Sequence, residues 1–386
     1  MTMRVAMYWH NGRSLGHTAE TAKVAHALAG GVPHLSLAGV TGAYRGLDLL
    51  PAAMDVFKLP SYADYDLASG WHATARQGVT VERLFAMRTE LIDVFLRHYA
   101  PHILLVNHLP YGAARELAPA LTRAPIGRRV LTLRGVLFDR DKTNGEYFSP
   151  ASTRWIDQHF DAIYVHTDPR VFRLEDYYTV PPVLRDRIRY LGYLAEESGV
   201  DRTTARRELG LEPGERLIVA SMGGGQGTLP IWLAIVAALD SLRDRFDRAV
   251  VVTGPYLEAD DGADLRARVA DLSWLELHSY VSGLPAWMSA CDLFLGAAGS
   301  STLGEILAAR CNAVVIPRQV REPEQRIHAQ ILAGRNLVRL CDLPDVLSGR
   351  LTPVLAQALA EPLRPGPGVA LNGARQYPRL LAELLR

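Results

Sequence analysis

Residues 296–334 read GAAGSSTLGEILAARCNAVVIPRQVREPEQRIHAQILAG, and this stretch carries the pattern that decides the fold. It begins as a glycine turn directly after the apolar run Leu293–Leu295 and passes into a helical segment. A second apolar run, Ala313–Ile316, comes next, and another helical segment closes the stretch. Short apolar runs that alternate with helical periodicity predict a right-handed βαβ unit with buried parallel strands. The expected fold class is therefore α/β.

The same rhythm continues outward from this stretch through both halves of the chain. Two helices are predicted in the first half, Thr18–Gly30, which stops at a Gly-Gly pair, and Val81–Tyr99. The buried-strand candidates elsewhere are Arg4–Tyr8, His102–Asn107, Arg129–Leu133, Ala162–His166, Arg216–Ala220, Ala249–Thr253 and Leu275–Val281. Two similar α/β halves place a cleft between them, which is a usual location for a ligand.

A composition change marks the boundary between the two halves. Residues 196–215 are charged and rich in glycine, which predicts a linker with a short helix. The 386 residues therefore divide into an N-terminal domain (1–195), this linker, a C-terminal domain (216–365) and a last segment (366–386). We expect the last segment to form a helix that packs back on the N-terminal domain.

Charge and cysteine content exclude several classes of protein. The net charge of +1 gives no bias toward nucleic acid, so no nucleic-acid partner is expected. The three cysteines lack CxxC spacing, which argues against a disulfide framework and favours a cytoplasmic location. Neither a signal peptide nor an apolar run of about 18 residues is found, so no integral membrane association is expected. The sequence neither predicts nor excludes a homodimer.

Three glycine-rich turns stand between a strand and a helix: Asn11–His17, Met222–Thr228 and Gly296–Thr302. Glycine lets the backbone approach a ligand closely, and the helix N-terminus behind each turn offers free N–H groups to an anion. Open α/β sheets bind ligands at such strand ends. Ordinary turn chemistry explains any single turn equally well. The first two turns lack GxGxxG and none has GK[ST], so neither a Rossmann oxidoreductase nor a phosphate-loop ATPase is supported.

Glu305 lies one helical turn beyond the third glycine turn. If a diphosphate binds at the glycines, an attached ribose comes within reach of this carboxylate, which can accept hydrogen bonds from both ribose hydroxyls. The alternative is an acid near the start of a helix that is favoured by the helix dipole alone.

The stretch 296–334 resembles the donor-binding signature of the peptidoglycan N-acetylglucosaminyltransferase family, of family 28 type. The shared signature is a glycine turn, Ser-Thr, Glu, an apolar strand ending in proline, a Glu-Gln pair and AxxLxxxG. The turn Gly12–His17 resembles the glycine–histidine loop of that family. Further motifs shared with its cytoplasmic relatives are Asn107–Gly112, Leu133–Gly135, Val165–Pro169, Tyr190–Tyr193, Gly223–Gly225 and Val315–Arg318. The resemblance implies a GT-B glycosyltransferase with two Rossmann-like domains, whose parallel sheets face each other across a cleft.

By this resemblance, the C-terminal domain binds a nucleotide diphosphate sugar and the N-terminal domain binds the acceptor. The donor-binding residues would be Gly224, Gly225, Gln226, Tyr280, Val281, Gly299, Ser301, Thr302, Glu305, Glu324 and Gln325. Glu305 would hold the ribose, while Glu324 and Gln325 would contact the sugar hydroxyls. The acceptor-side residues would be Gly16, Arg134 and Asp139.

The sequence departs from the family pattern at four places. His328 stands where the peptidoglycan enzyme has asparagine, which leaves the donor sugar open. Ser300 and Ser301 replace the Tyr-Asn of the nearer relatives, and Asn107 replaces their usual Asp. Residues 18–23 lack their paired arginines, so the acceptor pocket is expected to differ.

Glycosyl transfer requires a base that deprotonates the acceptor hydroxyl while the diphosphate leaves. His17 is the candidate, because a neutral imidazole titrates near the working pH and this residue sits on a glycine turn. A helix-capping or structural histidine is the alternative. Helix N-termini can stabilise the diphosphate without metal, and the triplets Asp64–Asp66 and Asp139–Asp141 follow no strand of the donor half. Neither a metal site nor a cofactor is predicted.

The leading hypothesis is an inverting glycosyltransferase that uses a nucleotide diphosphate sugar, with a UDP-sugar favoured, and a small soluble acceptor in specialised metabolism. A nucleotide-sugar 2-epimerase of the same fold is one alternative, and a catalytically inactive partner subunit is the other. An epimerase would need several acidic and histidine groups around the sugar in both domains, and the sequence shows no such cluster. Retention of His17, Glu305 and Gln325 argues against an inactive subunit.

Overall fold

The computed structural model describes residues 2–10, 15–66, 70–73, 78–195, 201–318, 323–366 and 368–386. The chain divides into two compact units. Unit 1 contains Met1–Ala195 together with Asn372–Arg386, and unit 2 contains Glu196–Leu371.

Unit 1 is a parallel α/β sheet with one small hairpin. Its strands are β1 (Met3–Trp9), β2 (Leu35–Thr41), β3 (Met54–Lys58), β4 (Ala63–Asp66), β5 (Gly70–Ala73), β6 (Ile103–Asn107), β7 (Arg128–Arg134), β8 (Ala162–His166) and β9 (Ile188–Tyr190). Its first helices are α1 (Gly16–Gly31), α2 (Val81–Tyr99), α3 (Ala118–Arg123), α4 (Arg140–Glu146), α5 (Pro150–His159), α6 (Leu174–Tyr177) and α7 (Pro182–Arg185). Seven strands form one parallel sheet in the order β3-β2-β1-β6-β7-β8-β9, while β4 and β5 pair as an antiparallel hairpin.

Local sequence explains how these elements form and end. Strands β6 and β8 are buried along their whole length, as expected of parallel strands that are covered on both faces. Thr80 caps α2 by accepting a hydrogen bond from the backbone N–H of Arg83, and Ala100 ends that helix in the left-handed conformation. Ser149 caps α5, where Pro150 occupies the first helical position.

Unit 2 is a second parallel α/β sheet. Its strands are β10 (Leu217–Ser221), β11 (Arg248–Val252), β12 (Leu275–His278), β13 (Leu293–Ala297), β14 (Ala313–Ile316) and β15 (Arg339–Leu340). Its helices are α8 (Arg202–Glu208), α9 (Leu229–Asp240), α10 (Ala259–Val269), α11 (Leu284–Ala290), α12 (Ser300–Ala309), α13 (Glu324–Ala333), α14 (Leu343–Leu347) and α15 (Leu351–Ala360). The strand order is β12-β11-β10-β13-β14-β15, and every recorded pairing is parallel.

In both sheets the order in which the chain adds strands reverses at the middle, and this reversal predicts where a ligand can bind. In unit 1 the chain builds outward from β1 through β2 to β3 and then resumes on the other side of β1 with β6. In unit 2 the same change occurs between β10 and β13. The loops that follow the two central strands diverge at such a switch point and leave a crevice at the carboxyl ends of the strands.

The last helix, α16 (Tyr377–Leu384), belongs to unit 1 and packs against α1. Tyr377 and Leu381 are fully buried in the core that also contains Trp9. Burial of each such side chain contributes about 1.5–3 kcal/mol. The hydroxyl of Tyr377 also lies 2.7 Å from Nε2 of His166, so polar and apolar contacts both anchor this helix.

The structure confirms the α/β class, and strands Ala162–His166 and Ala313–Ile316 have the predicted bounds. Strands β2, β3 and β9 were not predicted, because strands were inferred from apolar runs. Each of these three is short or interrupted by polar residues such as Ser36 and Asp55. Strand β12 ends at His278, short of the predicted Val281. Residues 196–200 of the expected linker lie outside the described residues.

Candidate functional site

The first candidate site lies at the switch point of unit 2, where β10 leads into the loop Met222–Thr228. Three glycines of this loop have positive φ. A Cβ on Gly225 would come within 2.0 Å of the carbonyl oxygen of Thr253, so both the conformation and the close approach require glycine there. The backbone N–H of Tyr256 donates to the carbonyl oxygen of Gly224 at 2.8 Å. The loop is therefore fixed against the end of β11.

Arg318 holds the same loop from the end of β14. Its guanidinium donates to the carbonyl oxygen of Met222 at 2.6 Å and to that of Gln226 at 3.1 Å. The backbone N–H of Arg318 donates to Oε1 of Gln325 at 3.0 Å, which ties the start of α13 to this strand end. The two bonds from the guanidinium are charge-assisted, and such bonds are stronger than hydrogen bonds between neutral groups. Arg318 ends the sequence motif Val315–Arg318, and no role was predicted for it.

The third glycine turn follows β13, the other central strand of unit 2. Gly299 precedes α12, no side chain caps that helix, and no acidic residue occupies its first turn, which contains Thr302. Oγ of Ser301 is buried and has no hydrogen-bond partner among the described residues. Glu305 follows on the next turn and is half-buried. Uncapped N–H groups and the positive end of the helix dipole suit an anion such as a diphosphate.

The remaining predicted donor residues lie on two other segments of unit 2. Tyr280 is 66% exposed and Val281 is half-buried, and both follow β12 instead of lying within it. Glu324 is the first residue of α13, next to Gln325, and His328 is buried further along the same helix. These residues stay predictions for the sugar and base subsites.

The second candidate site lies at the switch point of unit 1. His10 follows β1, Asn107 ends β6, and α1 brings His17 to the same place. Nδ1 of His17 donates a hydrogen bond to Oδ1 of Asn107 at 2.6 Å. Because an amide oxygen only accepts, the ring proton sits on Nδ1 and Nε2 keeps its lone pair. His17 therefore presents a basic nitrogen whose tautomer is fixed by a neighbour.

Three imidazoles meet at this switch point. The ring centroid of His17 lies 4.1 Å from that of His10 and 5.3 Å from that of His108. Nδ1 of His10 and Nδ1 of His108 are buried without a hydrogen-bond partner in the described part of the chain. His108 has a φ of 69°, which is uncommon for a residue other than glycine. Such backbone outliers cluster at functional sites.

Burial keeps these imidazoles neutral. Burial, reinforced by the positive charge of Arg134, lowers the pKa of His10 to about 3. The same two causes hold the pKa of His17 and the pKa of His108 well below 6.5. The expectation that His17 titrates near the working pH is therefore wrong, because it treated this side chain as solvated.

The structure also corrects the position of His17. This residue is the second of α1 and only 8% exposed, whereas the sequence placed it on the glycine turn before the helix. Gly16, the first residue of α1, precedes it. Residues 11–14 of the predicted glycine turn lie outside the described residues.

A buried ion pair completes the cluster of unit 1. Nε of Arg134 donates to Oε1 of Glu20 at 2.9 Å, and the two side chains are 13% and 4% exposed. Oε2 of Glu20 lies 4.0 Å from Nδ1 of His17 and has no hydrogen bond of its own within the described ranges. No cluster of acidic and histidine groups was expected, whereas unit 1 contains one. His10 and Glu20 are close to His17 in sequence, but His108 and Arg134 reach it only where the ends of β6 and β7 converge with β1. The signal that was missed is a polar residue directly after a buried strand.

Asp139 is the N-cap residue that directly precedes α4. Its Oδ1 accepts a hydrogen bond from the backbone N–H of Lys142 at 2.8 Å, so it caps the helix. The other triplet, Asp64–Asp66, lies on β4. Within the described ranges, no group of three or more His, Cys, Asp or Glu side chains is arranged to hold a metal ion.

Two further expectations concern cysteines and membranes. The three cysteines, Cys291, Cys311 and Cys341, are unpaired and buried. In the part of the chain that the structure describes, no helix combines the length and the apolar character needed to cross a bilayer.

Comparison with protein families identifies unit 2. Residues 218–368 match the glycosyltransferase family 28 C-terminal domain. Unit 2 is therefore similar to the C-terminal domain of family 28 glycosyltransferases. The matched range includes both glycine turns of unit 2, Arg318 and Glu305. It confirms the resemblance to family 28 that the sequence indicated.

Curated relatives match part of the chain. The UDP-N-acetylglucosamine–N-acetylmuramyl-(pentapeptide) pyrophosphoryl-undecaprenol N-acetylglucosamine transferase of Moorella thermoacetica is 30% identical over 168 residues, which is 41% of this chain and 44% of the relative. The enzyme of the same name from Natranaerobius thermophilus is 40% identical over 67 residues, 17% of this chain and 18% of the relative. The chain thus matches less than half the length of these relatives.

Solved structures match the whole chain in fold. MurG of Acinetobacter baumannii has a TM-score of 0.59 at 14% identity and 99% coverage of both chains. The glycotransferase of kitacinnamycin has a TM-score of 0.61 at 16% identity and 100% coverage of both chains. A candidate UDP-N-acetylglucosamine 2-epimerase from Listeria monocytogenes has a TM-score of 0.58 at 13% identity, covering 100% of this chain and 96% of the other. The GT-B fold is therefore confirmed, and it is shared by two kinds of enzyme.

Proposed function

We propose that this chain is an inverting glycosyltransferase that moves a sugar from a nucleoside diphosphate sugar to a small soluble acceptor. The observation that carries the proposal is the switch point of the family 28 domain. There, the loop containing Gly225 and the uncapped start of α12 lie after neighbouring strands, and Glu305 follows one turn later. Unit 1 would supply the base, His17.

In this proposal, backbone groups of unit 2 bind the leaving diphosphate. The N–H groups at the start of α12 and the buried Oγ of Ser301 can donate to phosphate oxygens, and the helix dipole stabilises the charge that develops there. Glu305 would accept hydrogen bonds from the ribose. The other proposed donor contacts are Gly224, Gly225, Gln226, Tyr280, Val281, Gly299, Thr302, Glu324 and Gln325. The names of the curated relatives specify a UDP-sugar donor, which favours UDP here.

The acceptor is argued from unit 1, because the family match covers only residues 218–368. The lipid-linked acceptor in the relatives' names therefore does not carry over with the donor site. We propose that Nε2 of His17 takes the proton of an acceptor hydroxyl. Gly16, Arg134 and Asp139 would be the other residues on the acceptor side of the reaction. The near-neutral net charge of +1 favours a small soluble acceptor, such as a specialised metabolite, in the cytoplasm. No metal or other cofactor is proposed.

A nucleotide-sugar 2-epimerase is the second candidate. The cluster of three histidines, Glu20 and Arg134 favours it, because an epimerase needs acid and base groups around the sugar. The GT-B fold is compatible with both reactions.

One incubation separates these functions. The purified full chain would be mixed with UDP-, dTDP- and GDP-sugars, with and without a panel of small hydroxylated acceptors, and the products analysed by mass spectrometry and NMR. Free nucleoside diphosphate with a glycosylated acceptor of inverted configuration supports the proposal. An isomerised sugar nucleotide would support the epimerase instead, and no turnover with any donor would contradict both.

A further inference from the structure

His17 faces two different polar partners in its buried site. Its Nδ1 donates to the amide oxygen of Asn107 at the end of β6, at 2.6 Å. One turn along its own helix, Oε2 of Glu20 lies 4.0 Å from the same nitrogen. Both partners are buried, and Oε2 of Glu20 makes no hydrogen bond with any described residue.

A buried histidine that acts as a base has two requirements. Its proton must stay on the nitrogen away from the substrate, so that the other nitrogen is free to accept a proton. The imidazolium that forms must also be balanced by a negative charge, since a lone buried cation is costly. The amide of Asn107 meets the first requirement and carries no charge. Glu20 carries the charge but lies too far from Nδ1 for a hydrogen bond.

We propose that these two requirements are divided between two residues: Asn107 fixes the tautomer of His17, and Glu20 is the counter-ion of the imidazolium. This inference rests on the proposed role of His17. As the acceptor oxygen bonds to the anomeric carbon, its proton passes to Nε2 of His17. The bond from that carbon to the diphosphate breaks, and its electron pair leaves with the diphosphate. Asn107 and Glu20 are positioning residues that act through His17.

The charges around His17 determine the sign of the effect. Among the described residues, the groups that face it from strand ends are the neutral His10 and His108 and the cationic Arg134, and from its own helix it faces Glu20. Arg134 is already paired with Glu20, so the carboxylate offsets a charge that opposes protonation of His17. Removing the carboxylate charge removes its attraction for the imidazolium of His17 and leaves the positive charge of Arg134 without a counter-charge. Both changes lower the pKa of His17.

The test is the variant Glu20→Gln, whose side chain keeps its size and can still accept from Arg134. The pKa of His17 would be measured in the full chain by long-range ¹H–¹⁵N NMR of the imidazoles. We expect it to fall by about 1–2 units, the usual effect of losing an opposite charge at this range. Turnover should fall by up to about tenfold per unit, because each pKa unit is a factor of ten in proton affinity. The donor KM should not change.

A second variant tests the division of roles by kinetics alone, so that His17 need not be titrated. Asn107→Asp, added to Glu20→Gln, returns a carboxylate to Nδ1 and should restore most of the lost kcat. Glu175→Gln is the matched control, since it removes one carboxylate from unit 1 beside Arg173 and Tyr190. It should alter neither the pKa of His17 nor kcat.

Two results would overturn the inference. One is a His17 pKa that is the same in the Glu20→Gln variant and the wild type, and the other is a double variant with no more activity than Glu20→Gln alone. Failure of the proposed function is distinguishable from both. In that case the wild type would turn over no sugar nucleotide, while the NMR titration would still report whether Glu20 is coupled to His17.

Discussion

The two units have the same kind of sheet and opposite chemistry at its switch point. In unit 2 the crevice is bordered by backbone: a loop in which Gly225 cannot carry a Cβ, and a helix that no side chain caps. In unit 1 it is bordered by side chains, namely three imidazoles, an amide and a Glu–Arg pair. A backbone site suits a group common to many ligands, such as a diphosphate. A side-chain site suits a particular reaction or a particular partner molecule.

The sharpest way to break this contrast is to remove the base from unit 1. His17→Ala should lower kcat by about 10²–10⁴-fold, the contribution of a positioned general base. Donor affinity should stay nearly unchanged, because the donor is assigned to unit 2. Steady-state kinetics with the donor identified by the incubation above would measure both parameters. His98→Ala, an exposed histidine on α2, is the control.

A small effect of His17→Ala would assign this residue a structural role. If the variant keeps more than about a tenth of the wild-type kcat, the fall is too small for a general base. Because the pKa of buried His17 lies well below 6.5, the acidic limb of the wild-type pH–rate profile should lie at a lower pH than the limb that a solvated histidine would give. A limb near pH 6.5 would contradict the buried, neutral imidazole.

The next largest effect is expected in unit 2. Glu305→Ala should weaken donor binding by about 10- to 150-fold, which corresponds to roughly 1.5–3 kcal/mol for hydrogen bonds to a charged group. Calorimetry with the nucleoside diphosphate would measure it. Glu361→Ala, an exposed acid of the same unit, should bind normally. Equal affinity of wild type and Glu305→Ala would remove Glu305 from the donor site.

The contrast also predicts that acid destabilises unit 1 first. Burial lowers the pKa of His10, His17, His108 and His166, so these side chains stay neutral when folded and take up protons when unfolded. Their contribution to stability is therefore complete above about pH 6.5 and is lost as the pH falls toward about 3. Each contributes a slope of up to about 1.4 kcal/mol per pH unit.

Hydrogen exchange resolved by peptide, between pH 7.5 and 5, would check this order. We expect protection to be lost first in β1, β6 and β7. The variant His166→Gln, which removes one of the four titrating groups, should make this loss less steep. Loss of protection in unit 2 before unit 1 would contradict the prediction.

The smallest expected effect is that of chelation. If backbone groups of unit 2 stabilise the diphosphate, activity in excess EDTA should equal the untreated activity. Loss of turnover that Mg²⁺ or Mn²⁺ restores would contradict the backbone account and would direct attention to Asp139 and Asp141.

The same contrast explains how much the sequence could predict. The glycine turns of unit 2 are visible in the sequence because close backbone approach and positive φ are local demands, and Glu305 follows at a fixed helical spacing. The cluster of unit 1 depends on which strands are neighbours. Glu20 is three positions from His17 on α1, but Asn107 and His108 reach His17 only because β1 pairs with β6, a pairing between residues about a hundred positions apart. The left-handed backbone of His108 has no sequence signal of its own.

Binding of a nucleoside diphosphate tests the division between the units most directly. UDP would be titrated by calorimetry into the wild type, Gly225→Val and His17→Ala, each first shown to be folded by circular dichroism. The account predicts that Gly225→Val loses measurable binding, because a side chain at this position would collide with the carbonyl of Thr253 and displace the loop. It predicts wild-type affinity for His17→Ala. Full binding by Gly225→Val, or loss of binding in His17→Ala, would contradict it.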